Sequence, residues 1–167
     1  MLFSYLRHHL ARTSAANFIV GIGSDSIRQK KFEELSARGL RPVSAVHPTS
    51  SVAPSSEIGK GCLILCHVII QGNCKIGNNV IFNHGSFAGN QSVIKGHSHI
   101  GGHAKLGGNN VVGERCFIAT RSVVADGVII CDDVTIGAGS LVTRDIKEPG
   151  TYVGCPLRKI NSQPKGV

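Results

Sequence analysis

Every sixth residue from Val52 to Val142 is apolar: Val52, Ile58, Ile64, Ile70, Ile76, Phe82, Ala88, Ile94, Ile100, Leu106, Val112, Ile118, Val124, Ile130, Ile136 and Val142. The pattern holds at sixteen positions of sixteen, with no insertion across 91 residues. An amphipathic helix repeats about every 3.6 residues and a half-buried strand every two, so neither produces it. A period of six marks a parallel β-helix in which each repeat supplies one short strand and one turn. Four residues after each large apolar side chain comes a small or modest one, as at Ser56, Cys62, Cys74, Ser86, Ala104 and Ser140. One large and one small inward position per repeat fit the filled interior of a narrow triangular prism. Three repeats close one coil, so the run predicts about five coils stacked at about 4.8 Å, roughly 24 Å in height. Gly follows the large residue at Gly59, Gly77, Gly101, Gly107, Gly113 and Gly137, which reads as conformational freedom for tight corners.

Composition agrees. The 167 residues suffice for one domain or little more, and Trp is absent, as suits a prism too thin for large rings. No apolar run approaches the length of a membrane span. The stretch Met1–Ala16 does not read as a signal peptide, because Arg7, His8 and His9 interrupt a short apolar segment. The chain is therefore read as cytoplasmic. Cys62, Cys74 and Cys116 hold the small inward position, where a reduced thiol acts as a compact hydrophobe, and no zinc-finger spacing is present. The net charge of +8 is dispersed, without the dense runs and interleaved aromatics of a nucleic-acid surface. Such a charge also suits a polyanionic small molecule.

The first 51 residues read differently. Phe18–Ile22 predicts a buried strand, Ile27–Ala37 a helix capped by Ser24 or Asp25 and closed by Gly39, and Arg41–Val46 a second strand. This β-α-β unit is too short for a core of its own and is expected to pack on the first coil, shielding its open edge. The expected organisation is a cap over 1–51, the β-helix over 52–146 and a tail over 147–167.

Three stretches carry a family resemblance. They are Phe18-Ile-Val-Gly-Ile-Gly-Ser-Asp with Arg28-Gln-Lys-Lys, then Val46-His47-Pro48 leading into the repeats, and last Tyr152-Val-Gly-Cys-Pro-Leu-Arg-Lys159. Together they resemble the sialic acid O-acetyltransferase and nucleotide-amino-sugar N-acetyltransferase family of hexapeptide-repeat acyltransferases. The resemblance implies a left-handed β-helix, against the right-handed habit of parallel crossovers. It implies a homotrimer with acetyl-CoA lying between adjacent prisms, a small-molecule acceptor, and direct attack of that acceptor's amine or hydroxyl on the thioester. It also implies a fuller Rossmann-like first domain, of which this chain carries a short cap.

Carried over residue by residue, the family's basic histidine and its acidic partner fall on Asn90-Gln91. An amide cannot accept a proton at neutral pH, so Asn90 can position a substrate but not act as the base. His99 matches a second family histidine beside the acetyl group. Its neighbours one coil away, Ile81 and Phe117, are outward and apolar, which reads as a subunit interface. A desolvated His there, with a pKa near 6–7, is a candidate base; an ordinary half-exposed turn histidine fits the same position. His84 is a further catalytic candidate that could reach the cleft of position 90 only across a subunit contact; it reads equally as a solvated turn. Family positions place Gly108, Thr120 and Ala138 along the pantetheine arm, with His99 at its thioester, and Arg158 and Lys159 at the phosphates or as solvated tail charges. No metal ligand set is assigned. His67 and His103 lie two coils apart on one corner, about 10 Å by strand spacing, too far for one metal within a subunit.

Ten of the fifteen outward residues that precede an inward apolar one, from Glu57 to Leu141, are themselves apolar, which reads as an oligomer interface. Three functions stay open: an acetyl-CoA-dependent acyltransferase on a sugar-like acceptor, a catalytically impaired hexapeptide protein that binds CoA or a partner, and a metal enzyme like the γ-class carbonic anhydrases.

Overall fold

The computed structural model describes residues 16–161. The stretch weighed as a signal peptide lies outside them, apart from Ala16. From Ala45 onward the chain is a left-handed parallel β-helix. Its strands are mostly two residues long and recur every six residues. Through the repeats, strands pair in parallel at 18-residue steps, as in Ile81↔His99 and His99↔Phe117. Three faces result. The first runs from Ala45–Val46 through Leu63–Ile64, Ile81–Phe82, His99–Ile100 and Phe117–Ile118 to Val134–Ile136, with Gly150–Val153 and Arg158–Ile160 added at its end. The second holds six strands from Ser51–Val52 to Leu141–Val142, the third five from Glu57–Ile58 to Ile129–Ile130. The prism has about six coils, one more than the periodic run alone implied, because Ala45–Val46 and Gly150–Val153 extend the first face beyond it.

The inward side chains do two jobs. The large ones form a continuous dry column; Ile64, Phe82, Ile100, Ile118 and Ile136 are each no more than 1% exposed. The small ones close a polar ladder. Ser98 donates to the carbonyl of Gly113 at 2.7 Å and Ser122 to Gly137 at 2.9 Å, each 15 residues on. Cys62, Cys74 and Cys116 do the same with their thiols, to Gly77, Gly89 and Cys131, each at 3.1 Å. Serine and cysteine interchange there because both are small and both can donate one proton inward.

The corners correct the reading of the glycines. The residue in left-handed backbone is not the one after the large side chain but the third. At fourteen successive such positions, from Gly61 to Gly139, φ lies between 53° and 72°. Four are Gly, three Asn, three His and one Asp, the residues that tolerate this region best. Gly59 and Gly113 answer a different need. A Cβ at either would come within 2.5 Å of backbone in the next coil, so these glycines serve close approach rather than conformation.

The cap also departs from expectation. Strands Asn17–Phe18 and Arg41–Pro42 pair in parallel around helix α1, Asp25–Ala37. Ser24 sits at the N-cap position without bonding the helix backbone through its side chain. The unit meets the first coil at Gly61 and Leu63. It packs along the flank of the lower coils, with Phe32 against Gly61 and edge-on to His97 at 5.7 Å between ring centroids.

Candidate functional site

Arg28 decides what the cap does. It is fully buried, at 0% exposure. Its guanidinium donates to the carbonyls of Ile22 at 3.0 Å and Gly23 at 3.1 Å, to those of Asn79 and His97 in two successive coils, and to Asp25 at 2.6 Å. An arginine fork suits this task because five fixed donors can meet acceptors from several directions. The result clamps the Ile22–Asp25 turn onto the first face. Burial outweighs the neighbouring guanidinium and holds the Asp25 carboxyl above its usual range.

His99 lies beneath that turn. It is 9% exposed, between Ile81 at 6% and the ring of Phe117, whose centroid is 5.0 Å away. Neither ring nitrogen has a hydrogen-bond partner among the described residues; the Gly23 backbone is near without completing a bond. Desolvation, and then the Arg28 charge, hold His99 down to about 4. The expected base with a pKa near 6–7 is therefore a neutral, sealed imidazole. The lower part of its apolar row, Leu63 and Ile81, is covered by the chain's own cap. The remaining outward apolar residues on the other faces do reach solvent: Ile69 is 44% exposed, Val123 42% and Ile129 50%.

The other candidates occupy two corners. Between the first and second faces, Cys66, His84, Gly102, Thr120 and Ala138 follow one another at 18-residue steps; His84, Thr120 and Ala138 are exposed. His84 Nδ1 lies 3.0 Å from the Cys66 sulfur. Between the second and third faces stand Asn90 and Gly108, one coil apart. Asn90 is exposed; its backbone N–H donates to Gln71 Oε1 and its side-chain amide to Gln91 Oε1, each at 3.2 Å. Together with Ser51, Ala53, Ile69 and Gln71 it lines a shallow groove. One chain thus gathers His84, Thr120 and Ala138 on one corner, sets Asn90 and Gly108 on the next, and seals His99 on a face. His67 and His103 take left-handed corner positions with φ of 58° and 57°. Among the described residues no group of three or more His, Cys, Asp or Glu side chains is arranged to hold a metal ion.

At the upper end, Arg158 and Lys159 belong to a hairpin strand paired with Gly150–Val153. Lys159 Nζ donates to Glu148 at 2.9 Å and sits 5.7 Å from the Tyr152 ring centroid. That bond lowers the Glu148 pKa and raises that of Lys159. Arg144, Lys147, Lys159, Tyr152 and Leu157 line a groove beside the hairpin. Arg144 and Lys147 carried no motif, and only the fold brings them there. Arg28 stood within the quoted family run, but nothing in a single sequence marks a helical arginine as buried. No helix of the described residues is long and apolar enough to cross a membrane.

A model of bacterial transferase hexapeptide repeats, six repeats long, matches residues 55–90 and 111–144. Among solved structures, perosamine N-acetyltransferase from Caulobacter crescentus, in a histidine-to-asparagine variant bound to CoA and GDP-perosamine, is 31% identical. That match covers 88% of this chain and 70% of the other, with a TM-score of 0.86. The acetyltransferase domain of PglB from Neisseria gonorrhoeae, in complex with acetyl coenzyme A, is 27% identical over 86% of this chain and 70% of that one, with a TM-score of 0.84. WeeI from Acinetobacter baumannii is 22% identical over 93% of this chain and 76% of its own, with a TM-score of 0.77, a likeness of fold.

Proposed function

The chain belongs to the bacterial hexapeptide transferases, and from that membership we propose that it moves an acetyl group from acetyl-CoA to the amino group of a sugar. The observation that carries this is the 31% identity, across 88% of the chain, to an N-acetyltransferase whose structure holds CoA and GDP-perosamine. In this reading the donor lies along the corner of Thr120 and Ala138, where exposed backbone amides face the pantetheine arm. Its phosphates meet Arg144, Lys147 and Lys159 in a groove that also holds Asp145 and Glu148, with Arg158 beside it, as charge-assisted acceptors. The acceptor amine attacks the thioester carbonyl directly.

A trimer completes the site. His84 and Asn90 sit on different corners, and a neighbour's corner is what can set one against the other. The exposed Ile69, Val123 and Ile129 supply apolar surface for that contact. Gly108, one coil above Asn90, makes room for the Asn90 amide itself, since a Cβ there would come within 2.9 Å of Asn90 Oδ1. Asn90 then orients the acceptor through its amide, and His99 contributes only if the Ile22–Asp25 turn lifts.

A second reading is favoured by the amide at 90 and the sealed imidazole at 99: a CoA-binding hexapeptide protein without turnover. A thiol-release assay with nucleotide-linked amino sugars and hydroxyl analogues, beside calorimetric titration with CoA, decides between them. Turnover is expected, and Asn90→His is expected to raise it by about 10²-fold or more, the usual worth of a general base. CoA binding with no turnover, in the parent and in Asn90→His, would establish the second reading.

A further inference from the structure

Six cysteines fall into separate environments. Three are buried and donate inward to carbonyls, and burial pushes the Cys116 thiol up to about 12. Cys155 is exposed and has no imidazole partner among the described residues; Cys131 is half-buried. Cys66 alone among the described thiols faces a histidine, with its sulfur 3.0 Å from His84 Nδ1, and it is half-buried while His84 is exposed. Nothing in the repeat requires this pair. Both residues occupy the outward turn position, where Pro48, Gly102, Thr120 and Ala138 stand in the coils below and above. The next coil leaves a notch over the imidazole, since Gly102 has no side chain and a Cβ there would meet nothing nearer than the His84 carbonyl oxygen at 3.6 Å. Thr120 and Ala138 continue the same column upward.

We propose that Cys66 and His84 form a nucleophilic thiol site that accepts the acyl group of an acyl thioester lying along this corner. The proposal rests on the donor reading above for the direction of approach, but needs no acceptor sugar. With the imidazole proton on Nε2, the Cys66 thiol donates to Nδ1. Proton transfer leaves a thiolate beside an imidazolium, the arrangement that activates cysteine nucleophiles at this distance. The thiolate attacks the thioester carbonyl. The bond from that carbon to the Cys66 sulfur forms, the bond to the pantetheine sulfur breaks, and the departing thiolate takes the proton from His84. One thioester replaces another, so no oxidant or reductant enters. Without an acceptor amine the acyl group rests on Cys66; the three buried thiols, facing carbonyls, cannot compete for it.

The full chain incubated with acetyl-CoA and followed by intact mass, hydroxylamine sensitivity and peptide mapping tests this. One hydroxylamine-labile acetyl group on Cys66 is expected, absent in Cys66→Ser and formed about 10²-fold more slowly in His84→Gln. Matching melting curves establish that each variant is folded, and His84→Asn replaces any that melts early. CoA affinity is measured on the same samples. If CoA binds and Cys66 stays unlabelled, or if it labels no faster than Cys155 or independently of His84, the proposal is overturned while the donor reading stands. If CoA does not bind, the donor reading fails. The pair is then tested with iodoacetamide and a short pantetheine-like acetyl thioester. Cys66 reacting faster than Cys155, by a margin lost in His84→Gln, supports the nucleophile, and equal rates overturn it.

Discussion

Ile100 and His99 are neighbours in one two-residue strand and face opposite ways. Ile100 points into the prism, where the coils above and below place Ile118 and Phe82 against it, and it is one of many equivalent contacts. His99 points outward, under a turn held by a single arginine. The prism is stabilised by repetition: each coil offers the next the same column, the same polar ladder and the same corner. The flank is stabilised by one polar focus, in which Arg28 gathers carbonyls from the cap and from two coils. Repetition distributes a loss over neighbours, as in other solenoids. A focus does not, and it can open as a unit.

The largest effect should come from striking the prism at its centre. Ile100→Asp puts an unpaired charge where the parent residue is 0% exposed and should cost more than about 4 kcal/mol, enough to unfold the β-helix. Lys105→Asp, on an outward exposed site over Phe87, should stay within about 1 kcal/mol. Equal thermal melts for the two would mean that the inward register is misplaced.

Arg28→Ala strikes the focus instead. It leaves Asp25 and four carbonyls without their buried donor, a loss of about 3–5 kcal/mol for a buried ion pair broken on one side. The expected outcome is confined to the flank. Amide hydrogen exchange should rise over residues 17–46 while the strands above Phe117–Ile118 keep their protection. Uniform loss of protection would show that cap and prism form one cooperative unit.

Acid should separate the two regions more gently. His99 is held at about 4 in the folded chain, against about 6.5 when unfolded. A histidine whose pKa is lowered on folding contributes stability fully present above the unfolded value and lost as pH falls through the folded one. The flank should therefore weaken between about pH 6.5 and 4, by up to about 3 kcal/mol. His97, also lowered by burial, acts in the same sense, and Asp25, raised by burial, in the opposite one. His99→Gln should remove the His99 share from a stability profile measured against pH. An unchanged profile would mean that His99 is solvated.

The smallest effect belongs to the corners. His103 has φ of 57°, so His103→Ile should cost about 1–2 kcal/mol while His103→Asn is nearly neutral in chemical denaturation. A similar penalty at exposed corners far from the cap would sharpen the view that corner chemistry repeats along the whole prism.

These particulars also divide what could be read from the chain. Ile64, Ile100 and Ile136 announced their inward direction because a six-residue period leaves one solution. The histidines were harder. His67 and His103 invite a metal-ligand reading, yet they share a repeat position with Asn73, Asn79 and Asn109. Gly, Asn, His and Asp recurring three residues after most of the large apolar side chains was the available signal that this position is conformational. His99 could not be read at all as a sealed residue, because its burial depends on a turn 76 residues away in the chain.

Sequence alone determined the strand spacing, the inward register and the coil-to-coil alignment of the corner residues, since all of these follow from a local period that the chain states sixteen times. Only the tertiary structure decided where the cap lies, that Arg28 is buried, that His99 is neutral under it, and that Cys66 meets His84. Each is a single contact between a side chain and a surface distant in sequence or one coil away. Such contacts occur once and are set by packing in three dimensions, so no periodicity records them.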